Sequence, residues 1–245
     1  AFIIIFIHFN LKMDKTIVII PAYNEEKNLY YLIEDIKICC NDFDFLLIDD
    51  NSEDRTYEIA KKSKIFKEII RNQRNLGYGG SLIVGFEYAI KNDYNFIITM
   101  DADGQHEPRY IYEIRKLLEE YDFVNCSRYH PKSRILTDFP KDRKFVNMVF
   151  TKLINEITNF NITDSFCGFR GYRKHLVEKL NLKTTDYAIP CEIWAKFIFL
   201  KPKMIEIPID LIYRDLNKKM PIEDPIKRLS YYLFVFSKTI IEGFG

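Results

Sequence analysis

Polar and apolar residues follow one another along this chain in blocks. Residues 16–20 form an unbroken, largely β-branched apolar run that stops at Pro21, which predicts a strand buried on both faces. Leu29, Leu32, Ile33 and Ile36 then recur at helical spacing, with Asn24 as the expected N-cap and Glu25 and Glu26 in the first turn. Residues 45–48 predict a second buried strand running directly into Asp49, Asp50, Asn51 and Ser52, and a helix through Lys62 follows, with Ser52 and Asp54 as its capping candidates. A short third strand is expected at 69–70. Gly77, Gly79 and Gly80 form a loop ahead of a helix whose face is Leu82, Gly85, Phe86 and Ala89. Residues 96–100 form the next strand, ending at Asp101. Pro108 suits the first position of a helix carrying Ile111, Ile114 and Leu118, and 123–126 is a further strand.

Strands alternating with helices imply a mostly parallel sheet with helices on both faces. In such sheets ligands bind beyond the carboxyl ends of the strands. Each acidic cluster of the first half directly follows a strand, so all of them should gather at one edge. After residue 130 the alternation breaks. Residues 130–144 are polar and charged with two prolines and read as a mobile loop. A helix follows with Val146, Val149, Phe150, Leu153 and Ile157 on its inner face. Residues 164–172 look irregular, and 204–213 read as two short strands around Pro208. Pro225 opens a last helix with Ile226, Leu229, Leu233, Phe236 and Ile240 at a/d-like spacing. That helix fits either a core or homodimer contact or an interfacial segment lying on a membrane.

With 245 residues, 47% of them hydrophobic, the chain is long enough for one large α/β domain. The expected layout is one α/β domain over 13–215, including a loop at 130–145, then an amphipathic segment over 216–245. Residues 1–12 read as an extension upstream of Met13; their apolar stretch is shorter than the roughly 20 residues a membrane span needs. A net charge of +1 lacks the basic excess of a nucleic-acid binder. The five cysteines contain no C-x-x-C, which argues against a zinc site; Cys126 and Cys167 read as packing residues, and a reducing compartment is the simplest setting.

The strongest chemical signal is Asp101-Ala102-Asp103-Gly104-Gln105-His106. Two carboxylates two positions apart, just past a buried strand, can converge on one hard cation, with Gln105 adding a carbonyl oxygen. Magnesium or manganese there would neutralise charge on a departing nucleoside diphosphate. A second signal is Pro21-Ala22-Tyr23-Asn24-Glu25, where Tyr23 can stack on a base and Glu25 can read its edge; the same residues also suit a helix start. In the third, 49–56, Asp50 is placed to meet a ribose or base.

Together, P-A-Y-N-E, D-D-N-S-E-D-R-T, R-N-L-G-Y-G-G, D-A-D-G-Q-H, S-R-Y and D-S-F-C-G-F-R-G-Y-R resemble family 2 of the inverting, GT-A-fold glycosyltransferases. The nearest resemblance is to its polyprenyl-phosphate (dolichol-phosphate) mannosyl- and glucosyltransferase branch. The resemblance implies that Asp101, Asp103 and Gln105 hold Mg2+ or Mn2+, and that Pro21, Ala22, Tyr23, Glu25, Asp50 and Ala102 contact the nucleotide sugar. Arg128 and Arg143 become ligands for the acceptor phosphate or donor diphosphate, and Asp164 a base or acceptor-orienting group. The resemblance adds Arg214 and Lys218 to the nucleotide-sugar contacts, where the family usually has an arginine followed by G-x-S-K, a pattern that here reads R-D-L-N-K. The implied function is hexose transfer from GDP-mannose or a UDP-hexose to a polyprenyl phosphate, by a protein peripheral to the cytoplasmic face of a membrane. A family member acting on a soluble or polysaccharide hydroxyl is the alternative enzyme. An inactive nucleotide-sugar-binding module is the alternative from another class, disfavoured by the intact D-A-D-G-Q-H.

Overall fold

The computed structural model describes residues 15–40, 42–214, 216 and 220–243. The readings made for residues 1–12 and for Lys218 lie outside them. The chain order is β1 (Thr16–Ala22), α1 (Glu26–Cys39), β2 (Asp44–Asp49), α2 (Thr56–Ser63), β3 (Glu68–Arg71), α3 (Gly77–Lys91), β4 (Phe96–Thr99), α4 (Ile111–Leu117) and β5 (Phe123–Ser127). It continues with α5 (Lys141–Thr158), β6 (Arg170–Arg173), α6 (Lys174–Leu180), α7 (Ile189–Leu200), β7 (Met204–Pro208) and α8 (Pro225–Glu242).

The strands form a single sheet in the order β3-β2-β1-β4-β6-β5-β7, in which β6 alone runs antiparallel to its neighbours. The continuous apolar runs have a direct cause: successive side chains of one strand serve two different cores. Ile17, Ile19, Leu46, Ile48, Ile97 and Phe123 pack into the core under α3, α5, α7 and α8. Their neighbours Val18, Ile20, Phe45, Leu47, Ile98 and Val124 pack into the opposite one, under α1 and α4.

The first half follows its periodicity closely; the second half departs from it. Residues 164–172 are not wholly irregular, because Arg170–Arg173 pairs as β6 between β4 and β5. Residues 204–213 hold one strand, and beyond Pro208 only an isolated bridge joins Leu211 to Ile135. That bridge ties the 130–144 segment to the stretch after β7. Leu136 N donates to Leu211 O at 3.1 Å, Leu211 N to Arg134 O at 2.8 Å, and Arg134 Nε to Asp210 Oδ1 at 3.0 Å; α5 already begins at Lys141. The last helix keeps most of the expected face: Phe236 is buried and Leu229, Leu233 and Ile240 pack partly buried against the core, while Ile226 is 60% exposed and Arg228, Tyr232 and Val235 join the buried side. The buried face is wider than expected because it packs on two neighbours at once: Phe236 meets Phe150 of α5 edge-on, Tyr232 meets Phe166, and the Arg228 guanidinium pairs with Asp142 at 2.6 Å.

Candidate active site

Because β1, β2, β4 and β5 share one direction, their carboxyl ends open on the same edge of the sheet. β6 enters between β4 and β5 from that edge. A cavity of about 680 Å³ lies there, lined by Pro21, Ala22, Tyr23, Glu25, Asp50, Asp101, Ala102, Asp103 and Gln105 on the β1–β4 side and by Arg128 and Arg143 on the β5–α5 side. Topology therefore unites segments that are far apart in sequence, at the point where strand order reverses between β1 and β4.

Two loops brace each other on the β1 side. Asn24 takes a left-handed backbone (φ 55°), and its side-chain carbonyl accepts Glu53 N at 2.8 Å. It does not cap α1. The cap comes from the neighbouring loop: Asp54 Oδ2 accepts Glu26 N at 3.0 Å, and Thr56 Oγ1 accepts Glu25 N at 2.8 Å. Ser52 accepts Asn24 N at 3.0 Å and makes no cap of α2. Each loop thus satisfies the orphan amides of the other. Asp50, 4% exposed, accepts Leu76 N and Gly77 N at 2.8 Å each and Asn72 Nδ2 at 2.8 Å. Its carboxylate closes the amino end of α3 while still facing the cavity. The glycines of α3 have a packing role: Gly80 N donates to Thr185 O at 2.8 Å, and a side chain at Gly79 would strike the 184–186 backbone. The docked segment carries Tyr187, which stacks on Tyr78 with centroids 5.3 Å apart and planes 3° apart.

At the end of β4, Asp101 is fixed from several directions. Its Oδ1 accepts the Tyr78 hydroxyl at 2.9 Å, and its backbone N–H donates to His106 Nδ1 at 3.1 Å. With Nδ1 accepting, the ring proton sits on Nε2, facing Cys167 Sγ at 3.7 Å. Burial keeps this imidazole below its usual range and pushes the Tyr78 phenol, with Asp101 adding to the effect, well above its own, so His106 is neutral and Tyr78 remains a donor. Asp103 Oδ1 accepts Gln105 N at 3.1 Å and its Oδ2 accepts Gln105 Nε2 at 2.7 Å. Gln105 so holds Asp103 in place and leaves its own carbonyl oxygen for a cation.

The residues fit a hard divalent ion. Among the described residues no group of three His, Cys, Asp or Glu side chains converges as a ready cage, and magnesium-type sites ordinarily use one or two carboxylates completed by phosphate and water. A specific space is also kept for Asp101. A Cβ on Gly168 would lie 2.5 Å from Asp101 Oδ2 and 2.6 Å from its Oδ1. Gly168, Tyr78 and His106 were not singled out from sequence. The one available signal was their place inside the G-Y-G-G, C-G-F-R and G-Q-H strings.

On the β5 side Arg128 makes a bidentate pair with Asp164, Nε to Oδ2 at 2.7 Å and Nη2 to Oδ1 at 3.1 Å. Asp164 also accepts Arg128 N at 3.2 Å and Phe166 N at 3.1 Å, and Asn147 Nδ2 donates to it as well. It is 0% exposed and does not line the cavity. Burial pushes its carboxyl up, but the Arg128 guanidinium and these donors outweigh burial and hold it below the usual carboxylate range. The bidentate contact fixes the direction of the Arg128 guanidinium at the cavity wall. Behind it, Glu206 accepts Thr163 N at 2.8 Å and Asn125 Nδ2 at 2.9 Å, locking the loop. Arg143 reaches the cavity from α5, 5.8 Å from the Tyr213 ring centroid. Arg214 does not line the cavity. Its Nε donates to Gly104 O at 2.9 Å, and its side chain packs where Gly104 (φ 73°) lacks one, so it clamps the Asp103–Gly104 turn from outside. A further cation is Arg170, 3% exposed on the cavity wall, donating to Ser165 O at 2.7 Å above the Trp194 ring.

The model of the family described as glycosyl transferase family 2 matches residues 17–180. Polyprenol monophosphomannose synthase of Mycolicibacterium smegmatis is 28% identical over 219 residues, covering 83% of this chain and 80% of its own. UDP-N-acetylglucosamine–dolichyl-phosphate N-acetylglucosaminyltransferase of Methanococcus voltae is 30% identical over 234 residues, covering 83% and 88%. Among solved structures, glucosyl-3-phosphoglycerate synthase of Mycobacterium tuberculosis, crystallised with Mn2+, UDP and glucosyl-3-phosphoglycerate, superposes with a TM-score of 0.67 at 14% identity, over 94% of this chain and 80% of that one. At that identity the likeness concerns the fold alone.

Proposed function

This chain belongs to glycosyl transferase family 2, and on that premise we propose that it moves a hexose from a nucleotide donor to a polyprenyl phosphate, with inversion at the anomeric carbon. Two relatives whose names state a polyprenyl- or dolichyl-linked acceptor support the acceptor class. The observation that carries the reading is the polarity of the cavity at the strand ends, with clustered carboxylate oxygens at one end and aimed guanidinium groups at the other.

In this reading the nucleoside lies along Pro21, Ala22, Tyr23, Glu25 and Asp50, and its diphosphate lies against Asp101, Ala102, Asp103 and Gln105. Mg2+ or Mn2+ bound by Asp101, Asp103 and Gln105 supplies charge neutralisation for the leaving diphosphate. Arg128 and Arg143 receive the acceptor phosphate, because guanidinium donors match phosphate oxygens in pairs. That phosphate is already anionic near neutral pH and attacks without a general base, consistent with Asp164 being committed to Arg128. Arg214 acts indirectly, by holding the Gly104 turn. The relatives' different sugars leave GDP-mannose and a UDP-hexose both as donors to try. No helix among the described residues is long and apolar enough to cross a membrane, so the reading requires the protein to meet its lipid substrate as a peripheral protein through those residues.

The test is transfer of radiolabel from a panel of nucleotide sugars to extracted polyprenyl phosphate, with manganese or with chelator. Chelator-sensitive label in the lipid phase is expected. Donor turnover with no lipid label, but with label on a water-soluble hydroxyl acceptor, would overturn the acceptor assignment.

A further inference from the structure

The five cysteines differ in what can reach them. Cys40, Cys126, Cys167 and Cys191 are 0% exposed, whereas Cys39 is half-buried and open to small solutes. Cys39 ends α1 and Cys40 follows it as the C-cap. Successive side chains of a helix point about 100° apart, so neighbouring thiols inside a helix face away from each other. Cys40 has left that geometry (φ −144°, ψ 46°), while its N–H still donates to Ile36 O at 2.9 Å. The break turns its side chain back toward Cys39, and the two Sγ atoms lie 3.4 Å apart.

The two thiols have different surroundings. Cys39 Sγ donates to Asp35 O at 3.0 Å, within its own helix. Cys40 Sγ lies between Cys39 Sγ and Pro108 O, the latter 3.2 Å away, and shares its one proton between them. Burial pushes the Cys40 thiol up, with the bond to Cys39 adding to the effect, so it keeps that proton. Pro108 opens the turn that leads into α4. It stands two residues after His106, whose ring accepts the Asp101 N–H. A reachable sulfur thus touches a buried one, and the buried one ties the end of α1 to the segment following the Asp101 loop.

We propose that Cys39 and Cys40 are a site of reversible covalent oxidation by hydrogen peroxide, closing to a disulfide between neighbours and releasing α1 from Pro108. The Cys39 thiolate attacks one peroxide oxygen, the O–O bond breaks, and hydroxide leaves, giving a sulfenic acid. The Cys40 sulfur then attacks the Cys39 sulfur, the S–O bond breaks, and the oxygen departs as water with the Cys40 proton. In sum two thiols give up two electrons and two protons, and the peroxide becomes two waters. Neighbouring Cα atoms are about 3.8 Å apart, closer than the roughly 4.4 Å lower bound of ordinary disulfides. The bond is therefore strained, and a cellular thiol pool reopens it. Closure also removes the proton that Cys40 offered to Pro108 O. A loop of two residues barely constrains the unfolded chain, so no entropic gain offsets the strain and the lost contact. The oxidised protein is accordingly the less stable form. The site stands independently of the transferase reading.

The experiment treats the whole chain with hydrogen peroxide, alkylates the remaining thiols under denaturing conditions and digests it with trypsin. Cleavage after Lys37 and Arg55 releases peptide 38–55, which holds Cys39 and Cys40 and no other cysteine. That peptide should escape alkylation and be lighter by two hydrogens than its reduced form, and dithiothreitol should restore alkylation of both thiols. The oxidised protein should melt about 2–4 °C below the reduced one. In Cys40→Ser the sulfenic acid at Cys39 has no partner and should be trapped by a cyclic 1,3-diketone that leaves the wild type unlabelled. In Cys39→Ser the buried Cys40 should remain a thiol, and peroxide should not move the melt. Full alkylation of the treated wild type would overturn the proposal. So would a sulfinic acid at Cys39, a disulfide joining two chains through Cys39, or equal melting of the oxidised and reduced forms. None of these failures touches the transferase reading, which the radiolabel assay decides separately.

Discussion

Replacing Gly168 by alanine tests the metal site through a residue that has no side chain to offer a metal. Gly168 is not among the glycines with positive φ, so the backbone tolerates alanine and only space is at issue. The added methyl would lie 2.5 and 2.6 Å from the two Asp101 carboxylate oxygens and 2.7 Å from the Tyr78 hydroxyl, against ordinary contact from 3.4 Å. Relief therefore needs Asp101 to move by about 0.9 Å, the gap between 3.4 and 2.5 Å. A misplacement near 1 Å costs about 10²-fold in rate, or about 2.7 kcal/mol of transition-state stabilisation. The carboxylate can swing toward the open cavity, so the fold should lose no more than the about 1–3 kcal/mol typical of overpacking. Calorimetry of nucleoside-diphosphate binding with manganese, turnover, and a thermal melt would be measured together. Metal-dependent binding and turnover within about twofold of wild type would refute the reasoning, because Asp101 would then be either free to move or not a ligand.

Three further outcomes follow from contacts around the same cavity. Tyr78→Phe removes a hydrogen bond to a charged group, ordinarily worth about 1.5–3 kcal/mol, and should weaken manganese-dependent nucleotide binding about tenfold; unchanged affinity would mean that Asp101 is held adequately without it. Asp164→Ala strands a buried guanidinium and should cost about 3–5 kcal/mol of stability in urea unfolding; a loss below about 1 kcal/mol would show that Arg128 finds water or another partner. The Asp164 carboxyl is held low in the folded protein, so its stabilisation is complete above the unfolded aspartate value of about 3.9 and is lost as pH falls through the lower folded value. Acid unfolding monitored by circular dichroism should accordingly have a flatter acid limb in Asp164→Asn than in wild type, and coincident slopes would contradict that linkage.

What sequence reading could deliver here was local. The runs at 16–20, 45–48, 96–100 and 123–126 declared buried strands because a strand covered on both faces has no polar positions to show. Their polar continuations declared an edge where ligands collect, and D-A-D-G-Q-H drew attention to Asp101 and Asp103. The same local logic misread Asn24 and Ser52 as caps of their own helices, since each instead serves the other loop, 28 or 29 residues away. It also missed β6, whose short R-G-Y-R run is strand only because β4 and β5 leave a gap between them. Tertiary structure alone decided that Gly168 makes room for Asp101, that Asp164 spends its charge on Arg128 away from the cavity, that Arg214 grips a turn, and that Arg228 is buried on the last helix while Ile226 is not. Periodicity reports whether a residue is covered, because covering acts on every residue of an element in the same way. It does not report what covers it, because that partner lies dozens of residues away and is chosen by strand order and by competition among charges once the sheet has assembled.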